Sequence, residues 1–137
     1  MGFFDLFGKK DVSKDLGRQM PYAIKTELVP YKMKANVRSS SSLRISLKNQ
    51  TGEPVVSSVV VEVPERISLD ETGFTKQKEV RLGTLAPDEE KDAIIGLFGD
   101  SGTDKGEYTL TITAFVHYRD YAHVLNAMKK RTIVEAV

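Results

Sequence analysis

The sequence predicts an all-β fold in which two antiparallel sheets stack as a sandwich of seven or eight strands. Three observations indicate this class. Apolar and polar residues alternate with a period of two in several segments, as expected for strands buried on one face. The run 55–63 is rich in β-branched residues, which favour strands. Turn-forming residues separate these segments at short intervals, without a convincing long helix between them.

The longest strand signal lies in the segment 104–117. One face of this segment is apolar, and the other is mainly threonine. The apolar positions are Tyr108, Leu110, Ile112, Ala114 and Val116. Phe115 interrupts the polar face, so we expect either that another element covers its ring or that a partner contacts it.

At the start of this strand, Asp104, Gly106 and Tyr108 follow a D-x-G-x-Y spacing that resembles the tyrosine corner of immunoglobulin-like sandwiches. In such a corner the phenol hydroxyl donates a hydrogen bond to nearby backbone. The resemblance therefore implies a structural role for these three residues. In antibody domains a cysteine follows the tyrosine by two positions. Leu110 stands there in this chain, so an apolar contact would replace the disulfide.

The earlier strands follow from the same alternation. The segment 22–29 predicts a first strand, and after Pro30 the segment 31–37 predicts a second strand with a basic outer face. Proline and lysine are common protections of a sheet edge. The serine run 39–42 is interpreted as a connection. Further strands are predicted at 43–48, 55–63, 66–69, 79–85, 92–98 and 131–137. The segment 119–130 contains helix formers but could equally extend the neighbouring strands, and both interpretations stay open.

From residue 29 to residue 97, the order of features resembles small immunoglobulin-like modules of prokaryotes, of the CARDB and NPCBM-associated type. The matching pieces are LRISLKN, VVSSVVVEVP ending at Pro64, LGTLAPDEE at 82–90, and the later GEY strand. These modules usually carry an L-x-P-G-E turn. Here Asp88 replaces the glycine, and Pro87 still suits a turn. The resemblance implies an immunoglobulin-like β-sandwich that acts in adhesion or as a spacer.

Length and composition limit the alternatives. The chain has 137 residues, which suits one domain with an adequate core, and we assign residues 1–20 to an N-terminal segment and 21–137 to the sandwich. The absence of cysteine excludes disulfides and thiolate chemistry. A net charge of +1 argues against a large nucleic-acid surface. Without a transmembrane run or a signal-peptide pattern, we expect a cytoplasmic protein.

The N-terminus forms an amphipathic segment. Its apolar cluster is followed directly by two lysines; the residues are Phe3, Phe4, Leu6, Phe7, Lys9 and Lys10. A helix this short is marginal in water, so the cluster needs a surface to bind. Packing on its own domain or on a second copy is the preferred interpretation. Contact with a membrane, which would make the protein peripheral to it, is the alternative.

Catalytic and metal signals are weak. The GDSG at 99–102 matches the nucleophile sequence of trypsin-like proteases in four letters, but both histidines follow Ser101, whereas those enzymes place the histidine first. His117, Asp120 and His123 form H-x-x-D-x-x-H, which spaces the ligands unevenly on a helix and alternates them between faces on a strand. We therefore predict neither an enzyme nor a cofactor, and keep these three residues as a weak metal candidate.

The C-terminal region is basic and aromatic. The residues concerned are Phe115, Tyr118, Arg119, Tyr121, Lys129, Lys130 and Arg131. Tyrosine and arginine dominate protein interfaces, although the same mixture can also stack bases. We predict a non-catalytic interaction or structural module that contacts another protein, or a second copy, through strand edges and this region. A peripheral membrane adaptor is the alternative, and nucleic acid is an unfavoured partner.

Overall fold

The computed structural model describes residues 22–117, 121 and 124–137, and these residues form eight strands without a helix. The strands are β1 Tyr22–Val29, β2 Lys32–Met33, β3 Ser39–Asn49, β4 Val55–Glu62, β5 Gln77–Leu85, β6 Glu90–Gly99, β7 Gly106–His117 and β8 Val124–Ala136. Within this described part, nothing has the length and apolar character of a membrane-spanning helix. The predicted N-terminal segment 1–20 lies outside the described residues.

The strands form two sheets. One sheet has the order β1-β3-β6, and the other has the order β2-β8-β7-β4-β5. Every pairing is antiparallel except the short parallel contact of β2 with β8. This is the immunoglobulin arrangement, in which strands A, B and E face strands C, F and G. The predicted sandwich is therefore confirmed, and β7 holds the place of strand F.

The core lies between the inner faces of the two sheets. The largest fully buried side chains come from both sheets and from the segment after β4; they are Leu43, Ile45, Leu47, Val59, Val61, Ile67, Leu85, Ile95, Leu97, Leu110 and Ile112. Burying each such side chain contributes roughly 1.5–3 kcal/mol. Leu110, two positions after Tyr108, is completely buried. An apolar contact therefore stands where antibody domains have a disulfide.

Three strand predictions were wrong in their bounds. The predicted strand 31–37 is reduced to β2, because Asn36 has a φ of 60° and turns the chain. The serine run 39–42 was predicted as a connection, but it forms the first four residues of β3 and pairs with residues 96–99 of β6. Residues 66–69 form no strand, since Ser68 makes only an isolated bridge to Phe98. The errors at 39–42 and 66–69 arise because local alternation does not reveal which segments pair.

The ambiguous segment 119–130 contains no helix where the structure describes it: Tyr121 lies in a turn, and a strand begins at Val124. Residues 124–130 belong to β8, which pairs with β7 along its length. Helix formers such as Ala127 and Met128 sit here because the ladder with β7 overrides their local preference. The strand β8 therefore runs from Val124 to Ala136 and includes the predicted final strand 131–137 except Val137.

Candidate functional site

Several predicted site residues lie outside the described residues. These are Phe3, Phe4, Leu6, Phe7, Lys9, Lys10, Tyr118, Arg119, Asp120 and His123. Among the described predictions, His117 is buried. Its Nε2 lies 2.7 Å from the hydroxyl of Ser58, within hydrogen-bond distance. In the described ranges, no group of three metal-ligating side chains comes together.

An aromatic cluster covers the outer face of the five-stranded sheet at the end of β7. The ring of Tyr121 lies 5.0 Å from that of His117, and its hydroxyl accepts a hydrogen bond from the Gly83 amide at 3.0 Å. The Arg81 guanidinium lies 4.5 Å above the same ring. Phe115 is half-buried, with its ring centre 6.2 Å from that of His117. Phe115 and Tyr121 therefore share a packed cluster, and this cluster buries the imidazole.

The residues of the D-x-G-x-Y segment make contacts of the kind that the motif implies. The hydroxyl of Tyr108 donates to the backbone carbonyl of Asp104 at 2.6 Å. Gly106 has a φ of 151°, a conformation that L side chains rarely adopt. The Asp104 carboxylate accepts from the side-chain amide of Asn36 at 2.9 Å, so the segment also holds the loop before β3.

The basic residues of β8 do not form one patch. Lys129 and Arg131 are exposed on the outer face of the five-stranded sheet, because they pair with Thr113 and Thr111 of β7. Lys130 points the other way, and its Nζ donates to the carbonyl oxygen of Ile24 at 3.2 Å. The alternation of the strand therefore leaves two of the three cations available to a partner.

A cavity of about 330 Å³ lies at the end of the sandwich where β1 ends and β7 begins. We call this the cavity end. The segment between β2 and β3, the segment between β4 and β5, and the end of β6 contribute its lining. Arg38 and Arg66 bring two guanidinium groups to it, and the half-buried ring of Phe98 adds an apolar surface. The position of the cavity among loops is typical of binding sites on a rigid scaffold.

The loop 70–75 beside the cavity is held by a single carboxylate. Asp70 accepts hydrogen bonds from the hydroxyls of Thr75 and Thr72 and from the Gly73 and Thr75 amides. Hydrogen bonds hold the pKa of the Asp70 carboxyl far below its usual range. The bond from the Thr75 hydroxyl lowers this pKa most, and the bond from the Thr72 hydroxyl has the second-largest effect. The charged form of Asp70 therefore organises this wall of the cavity.

A second set of bonds joins the remaining loops of the cavity end. Thr103 is completely buried; its hydroxyl donates to the Arg66 carbonyl at 2.7 Å and accepts from the Asp100 amide at 3.0 Å. The Asn36 amide donates to the Thr103 carbonyl at 2.7 Å. Arg66 is thereby fixed to the segments that carry Asn36 and Asp100.

Sequence reasoning missed this site. Arg38 and Arg66 occur singly beside turns, and the fold alone brings them to one cavity. The lone aromatic residue of the neighbouring polar loop DETGFTKQK, Phe74, is 85% exposed but does not line the cavity, so it gave no signal for this site.

The outer face of the three-stranded sheet offers a contrast. Arg44 donates to the Asp92 carboxylate through Nη2 at 2.6 Å and Nε at 3.0 Å, and Ser46 donates to the same group at 2.6 Å. These bonds, first that of Ser46 and then that of Arg44, lower the pKa of the Asp92 carboxyl. Arg44 and Asp92 on this face are therefore paired with each other.

No protein-family model matches the sequence, and no curated protein matches it. Solved structures match the fold. A segment of alpha-2-macroglobulin from E. coli aligns with 83% of this chain at a TM-score of 0.59 and 16% identity, and the chain covers 6% of that protein. The FixG-related protein from Vibrio parahaemolyticus aligns with 85% of this chain and is covered to 96%, at a TM-score of 0.51 and 9% identity. A CARDB domain from Pyrococcus furiosus aligns at a TM-score of 0.46 and 20% identity, with 85% of each chain covered.

Proposed function

We propose that the protein is a non-catalytic interaction module that binds an extended acidic segment of another protein along the open edge of β8. The observation that carries this proposal is the backbone of that edge. In the part of the chain that the structure describes, β8 pairs on one side with β7 and on the other only with the two residues of β2, at Glu135 and Ala136. A long strand edge is a template for an added strand.

The direction of each backbone group on β8 follows from the bonds at its end. Val137 donates its amide to Met33 and accepts from Ala35, so both groups point away from β7. Backbone groups of successive strand residues point to opposite edges. The amides and carbonyls of Lys129, Arg131 and Ile133 therefore face the open edge, because the register with β7 is unbroken from 126 to 136.

The side chains along this edge select the partner. Lys129 and Arg131 lie two positions apart on the outer face, so a strand added beside them meets two cations at a spacing of two residues. A segment in which acidic residues alternate with apolar ones places every carboxylate on this face. Two copies of β8 that pair antiparallel around residue 130 would set Lys129 against Arg131. This like-charge contact disfavours self-pairing.

Part of the opposite edge of the same sheet, at residues 82–84 of β5, is covered by side chains. A β-bulge leaves Leu82 without a partner on β4, and Lys91 donates from β6 to the carbonyl oxygens of Leu82 and Thr84, at 3.1 Å each. Tyr121 accepts from the Gly83 amide between them. Residues 82–84 of β5 therefore have few backbone groups left for an added strand, which favours β8.

The test is a titration of the protein with a short acetylated peptide in which glutamate alternates with valine, followed by amide resonances. We expect shifts at Lys129, Arg131 and Ile133, and about tenfold weaker binding by the double variant Lys129→Glu and Arg131→Glu, since each exposed ion pair contributes about 0.2–1 kcal/mol and a reversed charge repels. Lys25→Glu, on the outer face of the other sheet, is the matched control and should bind normally. Equal binding of a lysine–valine peptide, or shifts confined to other strands, would contradict the proposal.

A second candidate is a cytoplasmic adaptor peripheral to a membrane, and the sequence around Phe3 and Phe7 favours it. An aromatic cluster followed by Lys9 and Lys10 suits insertion beside anionic headgroups. Co-sedimentation with vesicles containing phosphatidylserine tests it, with the full chain compared against a chain that begins at Lys14. We expect the full chain to pellet and the shortened one to stay in the supernatant. Equal recovery of the two would remove this candidate.

A further inference from the structure

The cavity end has the size and the fixed walls of a small-molecule site. Its volume of about 330 Å³ lies at the lower end of the range that ligand pockets occupy, roughly 300–1,000 Å³. Asp70 and Thr103 hold the surrounding loops through the bonds described above. Gly99 at the rim is confined as well, since an added Cβ would lie 3.2 Å from both Met33 Cε and Thr103 Oγ1. A ligand of small size would therefore meet a preformed surface.

Some polar groups of the lining are already committed to the fold. Lys76 donates its Nζ to the carbonyl oxygens of Glu65 and Ile67, at 2.6 and 2.7 Å. Asp70 is bonded on both carboxylate oxygens, and Ser68 donates to the Asp70 carbonyl. These groups shape the wall, and they have little capacity left for a ligand.

Other groups keep that capacity. Within the described residues, neither Arg38 nor Arg66 makes an ion pair or a side-chain hydrogen bond. The carboxylates of Glu65 and Glu71 are likewise unbonded in this part of the chain, and Asp100 uses its Oδ1 for the Gly102 amide at 2.7 Å but leaves Oδ2 open. The cavity therefore presents cationic donors and anionic acceptors together.

This mixture of charges limits the chemistry of a ligand. A simple anion would be drawn to the guanidinium groups but repelled by the carboxylates, and a simple cation would meet the reverse. A molecule with both charges can place each beside its opposite. Arginine binds a carboxylate through two parallel hydrogen bonds, and a carboxylate accepts well from an ammonium group. The half-buried Phe98 supplies an apolar surface next to these charges.

We propose that the cavity between Arg38 and Arg66 binds a zwitterionic ligand of the amino-acid class with an apolar side chain. The two guanidinium groups receive its carboxylate, and Asp100 and Glu71 receive its ammonium group. The ring of Phe98 packs against its side chain. This site is separate from the β8 edge and does not depend on the function proposed for that edge.

The test uses the full chain and three related probes. L-phenylalanine carries both charges, N-acetyl-L-phenylalanine lacks the ammonium charge, and L-phenylalaninamide lacks the carboxylate. We expect L-phenylalanine to shift the amide resonances of Gly73, Gly99 and Gly102 in a saturable manner. Each single-charge analogue should bind at least tenfold more weakly. Absence of shifts with L-phenylalanine, or equal binding of either analogue, would overturn the proposal.

Variants separate a local site from a general effect of charge. Arg38→Gln and Arg66→Gln each remove one exposed guanidinium without removing a hydrogen bond among the described residues, so the fold should persist and its amide spectrum should be retained. Both should weaken L-phenylalanine binding by about tenfold. Arg131→Gln, on β8, is the matched control and should leave this binding unchanged. Unaltered binding by both cavity variants would overturn the proposal, whatever the outcome of the β8 titration.

Discussion

At each end of the sandwich, one short polar side chain makes several hydrogen bonds that hold the loops together. The two side chains differ in burial and in charge. At the end opposite the cavity, which we call the amide end, Asn49 is completely buried and donates to the carbonyls of Glu53, Leu85 and Ala86. At the cavity end, Asp70 plays the corresponding role as an acceptor. A buried neutral amide closes one end, whereas a charged carboxylate near solvent keeps the other open.

This comparison indicates that one end of the sandwich contributes mainly to stability and the other mainly to binding. Asn49 also accepts from the amide and the hydroxyl of Thr51, so one residue joins the turn before β4 to the turn after β5. At the cavity end, the hydrogen bonds of Asp70 and Thr103 join the loops around the cavity and leave the cavity itself open. We therefore expect changes at the amide end to affect folding first, and changes at the cavity end to affect binding.

The largest effect is expected from Asn49→Ala. The substitution leaves buried carbonyl oxygens without donors, and each unsatisfied group costs roughly 1–3 kcal/mol, so the free energy of unfolding should fall by about 3 kcal/mol. Urea denaturation measures it. Asn126→Ala is the matched control, because among the described residues that exposed side chain bonds only the neighbouring Ala127 amide, and its effect should stay below about 0.5 kcal/mol. Similar losses in both variants would contradict the role assigned to Asn49.

A smaller effect is expected from Gly99→Ala at the cavity end. The new Cβ would press on Thr103, which is completely buried and bonded through its hydroxyl, so we expect a loss of about 1–2 kcal/mol. At the amide end, Gly52→Ala is the matched control. No atom of the described part of the chain lies within 4 Å of its added Cβ, and stability should be unchanged or raised by up to about 0.5 kcal/mol. A neutral Gly99→Ala variant would mean that the loop can shift and that the rim of the cavity is not fixed.

Tyr108→Phe tests the corner that enters β7. Loss of the hydrogen bond to the Asp104 carbonyl should lower the free energy of unfolding by about 1 kcal/mol, with the ring packing retained. Tyr31→Phe is the control, since Tyr31 is 68% exposed and makes no hydroxyl bond within the described residues. Thermal denaturation of the two variants side by side gives the measurement. If Tyr108→Phe unfolds at the temperature of the parent, the corner contributes shape but not stability.

The sequence made the sandwich predictable because burial on one face of a strand imposes alternation, which residues 43–48 of β3 and 108–114 of β7 both show. Tyr108 was predictable as well, since its contact partner lies four residues away. The cavity was not predictable. Arg38 and Arg66 belong to different loops, and the bond from the Thr103 hydroxyl to the Arg66 carbonyl, which holds the second of these loops, joins residues 37 positions apart. The prediction for the serine run at the start of β3 was wrong for the same reason, because its pairing with β6 is non-local.

The last difference between the ends concerns acid. Asp70 has a pKa depressed by the hydrogen bonds of the folded loop, whereas an aspartate in the unfolded chain titrates near 3.9. A depressed folded pKa stabilises the folded loop above the unfolded value, and this contribution is lost as the pH falls from about 5 toward the folded pKa. The neutral Asn49 gives the amide end no such dependence. Acid should therefore loosen the cavity end first.

The amide resonances of Gly73 and Thr75, both bonded to Asp70 Oδ1, report this directly. We expect them to remain in place as the pH is lowered through 4 and to move only in stronger acid. In Asp70→Asn the charge is absent, so the same resonances should have altered positions already at neutral pH. They should also no longer show the movement in strong acid that the parent shows. Asp88→Asn, in the turn of the amide end, should leave both resonances as in the parent. Movement of the parent resonances with a midpoint near 4 would mean that Asp70 titrates like an unfolded aspartate. The carboxylate would then not be what holds this wall of the cavity.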